Sequence, residues 1–297
     1  MRNSEWSLVF FTIMVQMAAG CFISLGAAYN FFFLKNENEI THQLTSKLLF
    51  AISSFLLLAL FISFMHLGSP KNAVYSLKNI SSSWLSREIL FVSLFTALTG
   101  FLSFTYYKGI FSAPVINFLF IITSLTGLLS IFPMARIYLI ETVPAWNNVY
   151  TPIQFYLTAI ILGIFSFALG LSLVSGGMKI NIGEILEFER ILKLVLIAGT
   201  ILLAVQSIVW LLHIFSLSGT TLAGKMSFNL VFGEYAFLFY SRIVITLLSI
   251  IFLIYFLITL AKSASNPNMI LIAFLLMLLS EILGRLLFYS IFARTGV

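Results

Sequence analysis

Phe61–Leu90 reads FISFMHLGSPKNAVYSLKNISSSWLSREIL. The stretch begins inside one apolar run and ends inside the next. Between them lie His66, Gly68-Ser69-Pro70, a short basic loop, and then Trp84, Arg87 and Glu88. His66 falls in the last turn of the first predicted helix and Glu88 in the first turn of the second. A short loop makes the two helices neighbours, so an imidazole and a carboxylate share one end of the pair. If the runs cross a bilayer, both lie at its edge, where an ionisable side chain is costly and marks a candidate functional site.

Composition supports the bilayer. Of 297 residues, 61% are hydrophobic and 9% charged, with a mean hydropathy of +1.09. A soluble domain is about one quarter charged. The net charge of +6 therefore reads as loop lysines and arginines facing lipid head groups, with no nucleic-acid partner. Cys21 is the single cysteine, which excludes an internal disulfide and a thiolate cluster for zinc or iron–sulfur. Leu8–Leu34 carries no charge. It is too long for a signal peptide's apolar segment and is expected to stay as a spanning helix.

Outward from the opening stretch, eight runs reach the length of about 20 residues that a bilayer demands. They lie near 8–34, 44–67, 86–107, 114–139, 151–176, 192–216, 236–261 and 268–292. The expected fold is an all-α integral membrane protein, one transmembrane domain over residues 1–297, with both termini on the same side. The connections are too short to hold a soluble domain.

Loop charge gives the orientation. Lys35, Lys47, Lys108, Lys179, Arg190, Lys193 and Lys262 fall on the side away from the termini. Arg2, Lys71, Lys78, Lys225 and Arg294 fall on the terminus side. By the positive-inside rule the first group is cytoplasmic and the termini are periplasmic. Adding the helix-end residues Arg87, Arg136, Arg242 and Arg285 would reverse that vote. These four, with His66, Glu88, His213 and Glu281, all belong to the terminus side. That asymmetry indicates a site, or a docking surface, at one face.

Within the runs, Thr12, Gln16, Gly20, Ser24 and Ala28 are spaced by four and form one stripe. It reads as a helix-packing seam with Gln16 bonding across it, or as a Gln16 contact to a ligand. Glu281 and Arg285 stand i, i+4 and are expected to pair. Trp146 and Tyr150 read as interfacial belt aromatics. A bis-histidine haem would have to use His66 and His213, so the histidine count excludes two haems.

His66 with Glu88 reads either as a structural pair closing the turn or as a proton-handling site for a molecule arriving from lipid. A quinol fits the second reading, since its oxidation releases two protons with two electrons. Desolvation disfavours the charged form of a carboxylate, and histidine titrates near neutrality, so both exchange protons under working conditions. The electrons need a redox centre in another subunit.

Several motifs resemble the membrane anchor subunit of the dimethyl sulfoxide reductase complex. They are Glu5-Trp6-x-Leu8 with Phe11-Thr12, Gln16 and Gly20; His66-Leu-Gly-Ser-Pro70 with Ser86-x-Glu88-Ile89; Arg136-x-Tyr138; Thr142-Val-Pro144-x-Trp146 with Thr151-Pro152; and Glu281-x-x-Gly284-Arg285 with Phe288-Tyr289. The resemblance spans essentially the whole sequence. It implies an eight-helix bundle in the inner membrane with periplasmic termini. It also implies menaquinol oxidation, with electrons passed to an iron–sulfur subunit and on to a molybdopterin catalytic subunit. In that family the residues at the positions of His66 and Glu88 are tied to quinol binding.

The resulting expectation is a quinol-oxidising anchor of an oxidoreductase complex, its terminal reductase centre in another subunit. His66 and Glu88 bind the head group and take its protons. Geometry adds Gln16, Arg87, Arg136 and Arg285 as quinol contacts or docking groups. Loops 69–85, 140–150 and 217–235 are expected to seat the partner. The protein is expected to hold no metal, haem or iron–sulfur cluster, with menaquinol as bound substrate. The alternatives are a polysulfide-reductase-type quinol anchor and, from a different class, a secondary transporter. A transporter calls for paired interrupted helices and internal repeats, and neither is evident.

Overall fold

The computed structural model describes residues 3–34, 38–63, 77–178, 181–260 and 266–295. Among them, eight helices are long and apolar enough to cross a membrane, as the sequence predicts. They are α1 Asn3–Ala28, α2 Glu39–Ser63, α3 Trp84–Tyr107, α4 Ala113–Arg136, α5 Tyr150–Gly176, α6 Ile182–Ser216, α8 Ala236–Leu260 and α9 Pro267–Ser290. A short helix α7, Leu222–Phe232, lies between α6 and α8.

Local chemistry sets the ends. Ser83 Oγ accepts the Ser86 N–H at the start of α3, and Asn266 caps α9 ahead of Pro267. A proline at the first helical position has no N–H to leave unpaired. Two starts differ from expectation. Asn38 and Thr41 cap each other, so α2 begins at Glu39 rather than near 44. Asn181 and Glu184 form a capping box that starts α6 at Ile182, ten positions before the apolar run. Capping satisfies orphan N–H groups wherever they fall and needs no apolar stretch. At about 1.5 Å per residue, α6 is about 52 Å long, well beyond a hydrocarbon core of about 30 Å, so its charged first turns project from the bilayer. The second predicted run ends at 67, and residues 64–67, with His66, lie outside the described residues.

α1 is the central post, packing against α2, α4, α5 and α9. Its contact with α5 is backbone to backbone. A Cβ at Gly20 would strike the Ala159 carbonyl, and one at Gly163 would strike Gly20 and Cys21. The predicted seam is thus real, and glycine on both helices sets its closeness. Phe22 packs its ring on Phe95 and Phe120, and Tyr29 stacks on Phe120 at 4.8 Å. Hydroxyls inside the bundle mostly bond back to their own helix, as Thr96 does to Val92 and Ser53 to Leu49. This satisfies them without a partner helix. α8 lies at the rim and turns Phe237, Val244, Leu247 and Ile251 outward.

Candidate functional site

The end of the bundle that holds both termini is closed by residues 137–149, the connection from α4 to α5. Pro133 occupies the last turn of α4, and the helix stops at Arg136. The backbone then folds inward. The Trp146 indole N–H donates to the Phe288 carbonyl at 2.7 Å, and the Thr151 hydroxyl donates to the Trp146 carbonyl. Thr295 N–H donates to the Thr142 carbonyl at 2.9 Å, bringing the last described residue to the same place. Trp146 is therefore a keystone packed on Phe288, not the lipid-facing belt aromatic its sequence suggests. Tyr150 stacks on His213.

His213 fastens this connection to α6. Its Nδ1 accepts from the Gln154 amide, and Nε2–H donates to the Ala145 carbonyl, each at 3.0 Å. The Asn148 amide beside Nε2 donates to the Pro144 and Ala145 carbonyls, which is consistent with a proton on Nε2. Both ring nitrogens are thus engaged within the protein.

Below the connection lies a buried polar layer. Arg285 of α9 donates to Gln16 Oε1 of α1 at 2.9 Å, and its guanidinium lies 3.9 Å over the Phe155 ring. Glu281, one turn away on α9, faces Arg242 of α8 at 3.8 Å. It also accepts from the Thr158 hydroxyl at 2.6 Å, and Gln206 donates to Thr158. The expected i, i+4 pair between Glu281 and Arg285 does not form. Each side chain reaches a partner on a neighbouring helix instead, because both point into the bundle, where α1 and α5 supply neutral hydrogen-bonding groups and α8 an opposite charge. Bonded neighbours from four helices lower the cost of burying these charges in an apolar slab.

A tyrosine pair links this layer to α3. Tyr138 and Tyr289 share a hydrogen bond at 2.9 Å. Burial holds the Tyr138 hydroxyl well above the usual tyrosine range. The neighbouring Tyr289 and the Glu88 carboxylate push the same way, and Arg285 opposes them. Tyr138 is therefore neutral, and it lies within electrostatic reach of both Glu88 and Arg285. Glu88 itself is 5% exposed, and no described residue donates a hydrogen bond to it.

Comparison with known proteins over the full length identifies the family. The profile described as DMSO reductase anchor subunit matches residues 1–291. The chain belongs to the DMSO reductase anchor subunit family. It is 30% identical to the C subunit of the anaerobic dimethyl sulfoxide reductase of Haemophilus influenzae, over 99% of this sequence and 96% of that one. It is 33% identical to the C subunit of the Escherichia coli enzyme of the same name, over 52% of this sequence and 53% of that one. A second E. coli anaerobic dimethyl sulfoxide reductase subunit, YnfH, is 31% identical over 54% and 55%. The anchor subunit is an integral membrane component of a redox enzyme complex, alongside catalytic and electron-transfer subunits.

In this anchor subunit the residues singled out from sequence separate into groups. Gln16 and Arg285 are bonded to each other inside the bundle. Arg87 donates to the Ile80 and Ser81 carbonyls at 2.8 and 2.7 Å and lies 4.0 Å over Trp84. Arg136 approaches the same indole at 5.0 Å. These two arginines therefore frame the start of α3, and Glu88 follows one turn deeper. His66 lies outside the described residues. Sequence reading missed the roles of Thr158 and Gln206, and of Trp210, whose ring lies 4.3 Å from the Arg242 guanidinium. A lone glutamine in the apolar run 192–216 was the available signal for Gln206. The other two carried none, since threonine satisfies itself on a helix and tryptophan packs anywhere.

Proposed function

We propose that this protein is the quinol-oxidising membrane anchor of a dimethyl sulfoxide reductase-type respiratory complex. It takes menaquinol from the bilayer and hands its electrons to an iron–sulfur subunit, which feeds a molybdopterin catalytic subunit. Glu88 carries the reading. It is a membrane carboxylate, buried in the first turns of α3, that receives no hydrogen bond from any described residue. An intramembrane carboxylate without such a partner is a functional site by default, and it suits the proton released from a quinol hydroxyl.

His66, supported by family resemblance, is the second proton acceptor. Tyr138 and Tyr289 extend from the Glu88 side to Arg285 and Gln16, giving hydrogen-bonding groups that orient a head group. Arg87 and Arg136 flank Trp84 at the start of α3. The iron–sulfur subunit docks on the terminus face, over residues 140–150, α7 and the basic loop before α3. The complex sits in the inner membrane with that face periplasmic.

The test is Glu88→Gln in the assembled complex. Turnover with a menaquinol analogue falls at least about tenfold, the usual scale for losing a positioned proton acceptor being 10²–10⁴. Turnover with a reduced viologen, which feeds the catalytic subunit directly, stays the same. Full quinol turnover in Glu88→Gln refutes the assignment.

A further inference from the structure

Arg242 is the least satisfied buried cation among the described residues. It is 7% exposed. One face of its guanidinium lies 4.3 Å from the Trp210 ring. The group also lies so close to Gly284 that any side chain there would occupy its place. Glu281 faces it at 3.8 Å, too far for a hydrogen bond, and no described residue accepts one from it. A guanidinium carries five N–H donors, and leaving them unpaired inside a membrane is costly.

The edge of that guanidinium meets a cleft of about 100 Å³ between α6, α8 and α9. Its floor is polar, formed by Arg242, Glu281, Gln206 and Thr246. Its walls are apolar, with Leu203 and Leu247 among them. Leu247 is 54% exposed halfway along α8, so the cleft opens sideways towards lipid. A smaller cavity of about 20 Å³, room for about one water, lies behind Arg242 against Arg285 and Phe288.

Depth selects the ligand. At about 1.5 Å per residue, Arg242 lies about 9 Å from the start of α8 and Glu281 about 13 Å from the end of α9. A phosphate would have to leave the head-group layer to reach them. A neutral, lipid-soluble ring with an oxygen acceptor for Arg242 fits both the depth and the floor, while Glu281 keeps the Thr158 hydroxyl.

We infer that the α6–α8–α9 cleft is a second quinone-binding site, separate from Glu88, in which the clamped Arg242 guanidinium donates to a quinone oxygen. The ligand's identity rests on the quinol reading above, whereas the site rests on Arg242, Trp210 and Gly284. Quinone here is held ready to exchange with the pool, and no electron transfer is assigned to this position.

The test uses the whole complex in lipid nanodiscs, an azido-naphthoquinone photolabel and peptide mapping. Label is expected on α6 and α8 near 203–211 and 242–250. Arg242→Met is expected to lower it about tenfold, the scale of one lost charge-assisted hydrogen bond. Leu247→Trp, which leaves every charge in place and narrows the mouth, is expected to lower it as well. Glu88→Gln should leave it unchanged while quinol turnover falls. Wild-type complex without label on these helices, or label that ignores both cleft variants, overturns the inference. So does label displaced by added anionic phospholipid but not by unlabelled naphthoquinone. Cleft labelling together with full turnover in Glu88→Gln upholds this site and sinks the Glu88 assignment instead.

Discussion

Gly284 of α9 holds the guanidinium of Arg242 from α8 flat against its own backbone. The pairing explains why α9 carries a glycine beside two charged residues. It also explains how a charge from the rim helix is placed opposite Glu281.

Gly284→Ala should therefore push Arg242 away from Trp210 and Glu281. The expected cost is about 1–3 kcal/mol, the usual range for one inserted methyl group in a packed interior. Thermal melting of the purified complex checks it. An unchanged melting temperature would mean that the guanidinium shifts freely, and the clamp would be discarded.

Gly163→Ala should do more damage. The added methyl meets the backbone of Gly20 and Cys21 rather than a movable side chain, so α1 and α5 must separate. A loss above about 3 kcal/mol, the top of the overpacking range, is expected. It would be read as failure of the protein to accumulate in the membrane. Normal accumulation would contradict the close α1–α5 contact.

Tyr138 and Tyr289 lend themselves to a double-mutant cycle. Tyr138→Phe removes one of the two side-chain hydrogen bonds of the Tyr289 hydroxyl, which keeps Thr12, and should cost about 0.5–1.5 kcal/mol. Removing both hydroxyls should cost less than the sum of the two single changes. Strict additivity in melting experiments would rule out the bond.

The same pair gives a signed pH dependence. Burial raises the Tyr138 value above its ordinary 10.0. As pH climbs, the unfolded protein releases this proton before the folded one does. The stabilisation is thus complete below pH 10 and is lost above it. Melting temperature should be flat in this respect near neutrality and fall above about pH 10, with a shallower fall in Tyr138→Phe. Equal slopes in the two proteins would exclude the assignment.

His213→Leu should loosen residues 137–149, because it strands the Gln154 amide and leaves the Ala145 carbonyl to the Asn148 amide alone. Each unpaired buried group costs about 1–3 kcal/mol. Faster backbone hydrogen exchange confined to that connection is the expected signature, and unchanged protection there would count against the fastening role.

Eight spans, their near boundaries and the placing of both termini at one end were legible in the sequence. Apolar run length is a one-dimensional property that the thickness of a bilayer reads directly. The packing stripe from Thr12 to Ala28 was legible too, since helical period alone puts those residues on one face. The partners inside the bundle were not. Spacing allowed Glu281 to meet Arg285, yet Glu281 faces Arg242 and Thr158 while Arg285 bonds Gln16. Which charges meet depends on how closely neighbouring helices approach and how each is rotated. Glycines at 20, 163 and 284 set those approaches through contacts between residues far apart in sequence, and local periodicity carries no record of them.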